Sequence, residues 1–284
     1  MPTVDTVLAF DDGRPVPEVG PWAETKHNMV SYYAKLFATG MKRKWDKRIY
    51  IELYSGAGYS RIRDTSKIIM GSPLRALSLA DPFDKYIFCE EEPALLRALE
   101  LRARELAPTA DVVCIRGNCD EKIGEITQEI PLGSKENKVL SLCFVDPCDI
   151  GLKFSTIRFL STKRYVDYLV LLALYMDANR NNQNYVNPRS TKVAEFLGVR
   201  SWRDDWAKAE AEGVPFPKFL AEAFSRRMEA LGYIYQPIYK MKEIMFPDKN
   251  WPLYRLALFS RHDRAYGFWD EVLKYSTDQT SFWE

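Results

Sequence analysis

No stretch of this chain stays apolar for the roughly 18 residues that a membrane-spanning helix needs. The longest such run, Tyr168 to Met176, is about half that length and suits a buried strand. The first residues, MPTVDTVLAFDDGRP, have no basic start and no long apolar core, so no secretory signal is expected. Five cysteines in 284 residues are too few, and odd in number, for a disulfide framework. A reducing cytoplasm is the expected compartment. Internal repeats and low-complexity segments are lacking, as is a G-x-x-x-x-G-K-[ST] phosphate loop. An excess of one charge is lacking too: 40 Lys+Arg stand against 39 Asp+Glu, which gives no general argument for a polyanionic partner. What is there is an ordinary globular mixture, 46% apolar and 28% charged. That excludes disorder, collagen and coiled coil and allows one large α/β domain or two small ones.

Local charge is uneven. Lys26, Lys35, Lys42, Arg43, Lys44, Lys47 and Arg48 face only Glu24 and Asp46 in the same stretch. A second group comprises Arg158, Lys163, Arg164, Arg180, Arg189 and Lys192. Both are candidates for phosphate contact, with solvated surface as the competing explanation. The cysteine pairs Cys114/Cys119 and Cys143/Cys148 have wider spacing than most zinc pairs. Cys114 and Cys143 sit in apolar runs, where a free thiol packs as a small hydrophobe, and no metal site is expected.

Residues 1–20 carry three prolines and are expected as an irregular leader. Thr25 precedes a helix with Met29, Val30, Tyr33, Phe37 and Met41 on one face. Short strands are then expected at Ile49–Tyr54, Tyr86–Glu90, Val112–Ile115, Leu140–Val145 and Tyr165–Leu172. Helices alternate with them: one opened by Ser72 as cap and Pro73, one over Pro93–Leu106, one over Asp120–Ile130. Arg61 to Met70 is expected as a polar connection. Nearly continuous apolar strands alternating with helices define a doubly wound, mostly parallel α/β sheet. Right-handed crossovers then bring all strand C-termini to one edge, where ligands bind.

The later part is more helical, with helices over Thr191–Leu197 and Phe216–Leu231, then two strands, Tyr233–Met245 and Leu253–Phe259. Two divisions follow. In the first, 21–176 and 216–284 form the α/β domain, 177–215 is an inserted helical segment and the last strands are an antiparallel pair of the same sheet. In the second, 185–260 is a winged-helix-like subdomain. The apolar character of Leu253–Phe259 favours the first.

The strand ends carry the chemistry. The first runs into Glu52-Leu53-Tyr54-Ser55-Gly56-Ala57-Gly58, a loop whose glycines let backbone N–H groups approach a ligand. The third glycine of the dinucleotide fingerprint would fall at Arg61, which disfavours nicotinamide and flavin. Glu90, with Glu91 beside it, stands where a carboxylate grips a ribose, or simply starts the next helix. Asn118 offers a donor and an acceptor to an adenine edge, or serves the turn after Gly117. Asp146-Pro147 places a carboxylate and a rigid carbonyl at the same edge, and an apolar strand running into a buried Asp points to a partner for it.

Taken together these residues resemble the class I methyltransferases that use S-adenosylmethionine. More closely, the chain resembles the bacterial three-Cys-motif partner family, on GPWAETKH from Gly20 to His27, YIELYSGAG from Tyr50 to Gly58, GSPL from Gly71, YIFCE ending at Glu90 and FVDP ending at Pro147. YRLALFSRH from Tyr254 to His262 and Phe268-Trp269 add to it. The resemblance implies a Rossmann-like class I methyltransferase fold and an S-adenosylmethionine site built from Glu52, Tyr54, Ser55, Gly56, Gly58, Glu90, Glu91, Asn118 and Cys119. Asp146 and Pro147 would lie at the transferred methyl, and Lys26, His27 and Arg180 would meet the acceptor. The three cysteines of the family name belong to a partner protein. In related amino-methyltransferases the fourth motif reads D-P-P-Y and its aromatic stacks on a flipped base; here it reads Asp146-Pro147-Cys148-Asp149.

The expected function is methyl transfer to an amino group of DNA or RNA. The alternatives are an inactive methyltransferase fold that binds nucleic acid or protein, and a small-molecule methyltransferase with the inserted segment as a lid.

Overall fold

The computed structural model describes residues 8–178, 181–246 and 251–278. Two short strands come first, β1 (Leu8–Ala9) and β2 (Glu18–Val19), then the long helix α1 (Trp22–Met41). Strand β3 (Lys47–Glu52) is followed by a hairpin, β4 (Tyr59–Ile62) and β5 (Ile68–Met70), and by α2 (Ser72–Leu77). Alternation continues through β6 (Lys85–Glu90), α3 (Pro93–Leu106), β7 (Val112–Arg116), α4 (Cys119–Gln128), β8 (Val139–Val145), α5 (Phe154–Ser161) and β9 (Tyr165–Leu172). A π-helical turn (Leu174–Ala178) follows, then the α-helices α6 (Asn182–Val186), α7 (Lys192–Leu197) and α8 (Trp202–Ala211). The chain then forms α9 (Phe216–Glu229), β10 (Lys242–Phe246), β11 (Trp251–Phe259) and α10 (Asp263–Asp278).

The main sheet has seven strands in the order β10-β11-β9-β8-β3-β6-β7. The pairs from β9 to β7 are parallel, and β11 runs antiparallel to both β9 and β10. Its strand order reverses between β3 and β8, which is where a doubly wound sheet opens a crevice at its C-terminal edge. This is the Rossmann-like class I methyltransferase fold with its C-terminal antiparallel pair and a helical insertion. Strands β10 and β11 belong to the sheet, so they are not the wing of a separate winged helix.

Side-chain alternation fills a core on each face. Ile49 and Ile51 of β3, Cys143 and Val145 of β8 and Tyr168 and Val170 of β9 pack with α4, α5, α7 and α9. Tyr50, Leu142, Phe144, Leu169 and Leu171 point the other way and pack with α1, α2, α3 and α10. Both faces being covered is why these strands read as unbroken apolar runs.

Several local expectations change. The segment Arg61–Met70 is the hairpin β4–β5 rather than a plain connection; it pairs with β1 and β2 in a four-stranded sheet, so part of the supposed irregular leader is strand. Ile62, Ile68 and Ile69 are buried there, but strands of three or four residues are too short to show a period. The hairpin is pinched shut where the Gly71 N–H donates to the Gly58 carbonyl at 2.7 Å. Helix α1 starts at Trp22, because Pro21 already holds a helical φ of −60°. Gly71, not Ser72, is the N-cap of α2, and Ser72 turns its hydroxyl elsewhere. Strand β10 begins only at Lys242, after a short 3-10 turn that follows Pro237, a residue that cannot donate to a ladder.

Gly58 has a φ of +82°, and a Cβ there would meet Leu74 at 2.8 Å and Leu99 at 3.0 Å. Gly58→Ala is expected to destabilise the protein by about 1–3 kcal/mol. Urea denaturation measures this, and an unchanged midpoint would contradict the tight approach of loop, α2 and α3.

Candidate functional site

The parallel strands deliver their C-terminal ends to a cleft of about 740 Å³. Tyr54, Ser55, Gly56 and Gly58 follow β3; Glu90 ends β6 and Glu91 follows it; Asn118 and Cys119 follow β7; Asp146 and Pro147 follow β8, and all line it. Lys26 and His27 come in from the first turns of α1.

One carboxylate ties the glycine loop to its neighbour. Glu90 Oε2 accepts from the Gly56 N–H at 2.8 Å, and Oε1 accepts from the Glu92 N–H at 2.9 Å. Gly56 has a φ of +63°, which turns its N–H toward β6, and a Cβ there would meet nothing within 4 Å. The glycine serves backbone conformation rather than space. Asn118 caps α4, its side-chain oxygen accepting from the Asp120 N–H at 3.0 Å. Gly117 before it has a φ of +134°. Tyr54 and Cys119 lie near each other, and burial raises the pKa of both groups.

Glu52 departs from the expectation. It does not line the cleft but is 1% exposed beneath it, where strand alternation puts it on the Tyr50 face. Its Oε1 accepts from Tyr50 Oη at 2.6 Å and its Oε2 from Ser72 Oγ at 2.9 Å. Burial pushes its pKa up to about 8. Its partner Ser72 does line the cleft.

Asp146 is paired. Lys26 Nζ donates to its Oδ2 at 2.5 Å, and both side chains are largely shielded from solvent. His27 is buried with no partner for Nδ1; burial, then Lys26 and Arg75, push its pKa well below the usual imidazole value, so it is neutral. The loop after Asp146 is held from the inserted segment. Asp177 Oδ2 accepts from the Ile150 N–H at 2.9 Å and from Tyr185 Oη at 2.7 Å, and Lys192 pairs with Asp149.

The cleft is acidic. Glu18, Glu90, Glu91, Asp120, Asp146 and Asp149 line it against Lys26 and Arg63. Of the two basic groups noted in the sequence, Lys26 lines the cleft and Lys192 pairs with Asp149 there, but the stretch from Lys42 to Arg48 does not reach it. Lys42, Arg43, Lys44, Lys47 and Arg48 stand where α1 ends and β3 begins, at the opposite edge. Arg48 is buried and donates to the Ala38 and Pro82 carbonyls, and Lys42 pairs with Asp81. Lys163 and Arg164 precede β9, again at the opposite edge. Arg180 lies outside the described residues.

Arg102 was not anticipated. It is 3% exposed, binds Asp12 through two nitrogens at 2.6 and 2.8 Å, and donates to the Ala57 carbonyl at 2.7 Å. It thereby fastens the N-terminal arm to the glycine loop, and it holds the Asp12 carboxyl down to about 2. The signal was legible: an arginine on the apolar stripe of a helix, between Leu99 and Ala103, has to find buried partners. Trp22 and Tyr254, also unanticipated, supply the aromatic wall, with ring centroids 6.5 Å apart.

No protein-family model matches the chain, and no curated protein matches it. Three solved structures illustrate its similarity to known folds. One is a Legionella pneumophila protein, 14% identical over 62% of this chain and 75% of that one, with a TM-score of 0.42. Another is cofactor-bound Rv0187 from MTB, 12% identical over 82% and 79%, TM-score 0.42. The third is an O-methyltransferase from Bacillus cereus in complex with SAH, 11% identical over 70% and 73%, TM-score 0.41.

The raised pKa of Glu52 makes stability pH-dependent. Its ordinary value is 4.5, so between about pH 4.5 and 8 the folded state holds a proton that the unfolded state releases, and stability falls as pH rises through that window. Glu52→Gln removes this share of the slope. Measured by denaturation at pH 5 and pH 8, the variant is expected to lose about 1–3 kcal/mol less than the parent chain. Parallel losses would contradict a buried, protonated Glu52.

Proposed function

We propose that this protein is an S-adenosylmethionine-dependent methyltransferase acting on a small neutral or cationic acceptor. The observation that carries the reading is the convergence of Gly56, Glu90, Asn118 and Asp146 from four separate strand ends on one acidic cleft. The donor set fits the cofactor. Glu90 keeps lone pairs for ribose hydroxyls after accepting from Gly56 and Glu92, and the acids complement a ligand that carries a sulfonium and an ammonium. Cys119 and Asn118 flank the adenine end, and Ser72 links the ligand to Glu52 beneath.

S-Adenosylmethionine supplies an electrophilic methyl for in-line displacement. The chain's own task is alignment and proton management. Asp146 orients the acceptor: Lys26 occupies Oδ2, and Oδ1 is left for an acceptor N–H or O–H. Pro147 fixes the direction of the carbonyl beside it. The neutral, unpartnered Nδ1 of His27 stands on the same wall. Trp22 and Tyr254 keep water from the acceptor.

A nucleic-acid acceptor was the leading expectation, and the charge of the cleft speaks for the small-molecule alternative instead. A polyanion meets an acidic lining at a cost, and the basic stretch from Lys42 to Arg48 that could hold its phosphates stands at the other edge. The missing aromatic after Asp146-Pro147 agrees. The resemblance to the three-Cys-motif partner family is kept as a proposal on the residues that form this cleft, with a cysteine-bearing protein as the partner it would imply.

Calorimetry of the chain with S-adenosylhomocysteine is expected to give one-site binding. Glu90→Ala should weaken it by roughly tenfold or more, the loss of hydrogen bonds to a charged group. Tritiated methyl transfer is expected to low-molecular-weight amines or phenols rather than to DNA or RNA, and Asp146→Asn should cut it by about a hundredfold with binding of the homocysteine product retained. No binding at millimolar ligand overturns the enzyme reading; transfer to nucleic acid alone overturns the acceptor.

A further inference from the structure

A second cavity, of about 730 Å³, opens at the sheet edge opposite the cleft, where β8 and β9 begin. It lies within the size range of small-molecule sites. Its floor is apolar: Phe37 and Met41 of α1, Val139 and Leu140 of β8, and Ala265 and Phe268 of α10. Trp45 and Tyr165 border it with ring centroids 5.4 Å apart, and Tyr165 is 60% exposed.

Its charge is the reverse of the cleft's. Lys44, Lys135, Lys138, Arg261 and Arg264 line it, with Asp167 as the one acid among the described residues. Asp167 is buried, and Ser260 and Arg261 near it oppose the upward push of burial on its carboxyl. Arg261 is itself committed to the carbonyls of Arg164 and Leu231, so these two offset each other inside the wall. That leaves Lys44, Lys135, Lys138 and Arg264. All four are exposed, and none has an ion pair among the described residues. A hydrophobic hollow ringed by four unspent cations is not explained by methyl transfer at the far edge.

We infer that this cavity binds a small amphipathic anion, an apolar body carrying one carboxylate or phosphate. The body displaces water from the Phe37–Phe268 floor, and the head sits among Lys44, Lys135, Lys138 and Arg264. A bare polyanion has no use for the apolar floor, and an amphipathic cation meets the wrong sign at the rim. The site is independent of the cofactor reading, since no residue is shared between the two linings.

Calorimetric titration of the whole chain with decanoate and decyl phosphate tests this, with decylamine and decanol as controls. One-site binding of at least one anion is expected, tighter than either control. The preferred head then separates an acyl carboxylate from a phosphate ester. Lys138→Glu/Arg264→Glu, both exposed positions, should raise the dissociation constant by about tenfold or more while the thermal transition stays in place. Lys44→Glu/Lys135→Glu provides the same reading should the first pair disturb folding. Absence of saturable anion binding, equal binding of decanol or decylamine, or affinity unchanged in folded charge-reversed variants would overturn the inference.

Discussion

The hydrogen bond from the Gly56 N–H to Glu90, 2.8 Å long, joins two strand ends that are 34 residues apart in the chain. Because β3 and β6 are parallel neighbours, both finish at the same edge, and one carboxylate serves both: it accepts from the glycine loop with one oxygen and from its own following turn with the other. The rest of the cleft is arranged around this contact. Gly58 is drawn against Leu74 and Leu99, the hairpin after it is closed by Gly71, and Arg102 holds the outside of the same loop through Ala57. A parallel sheet cannot keep its strand-end loops in place by hairpin pairing, so side chains such as Glu90, Arg102 and Asp177 do it instead.

Charge is divided between the two edges of the sheet. Acids collect where the parallel strands end, and unpaired lysines and arginines collect where they begin. In a chain with nearly equal numbers of both signs, the linings of the two cavities are thus opposite in character. Solvent and salt screen one edge from the other over roughly 8–10 Å. The near-neutral total conceals this, which is why composition alone gave no argument for any partner.

Elements whose signal is local and long were legible. The apolar runs at β3, β6, β7, β8 and β9 end within a residue or two of where the pattern put them, and α3 spans Pro93–Leu106 as read. Elements decided by distant contacts were not. The β4–β5 hairpin consists of short strands stabilised by β2, paired with β4, and by β1, paired with β5, both of which lie far earlier in the chain. Among site residues, the strand-end set reached the cleft, but Glu52 did not, because a shift of one residue along a strand changes the face. The basic residues around Lys42–Arg48 looked like one patch in the sequence; folding made Arg48 a buried strut and gave Lys42 to Asp81.

By itself the sequence determined the alternation of strand and helix, the two apolar faces of each central strand, and the identity of the groups at the strand ends. These follow from periodicity and from residue type, which act over a few neighbours. Only the tertiary structure decided which carboxylate faces the cleft and which lies beneath it, that Lys26 meets Asp146, and that Lys44, Lys138 and Arg264 border a cavity at the far edge. Those outcomes depend on strand register and on helix placement over distances of tens of residues, where local pattern exerts no force and packing does.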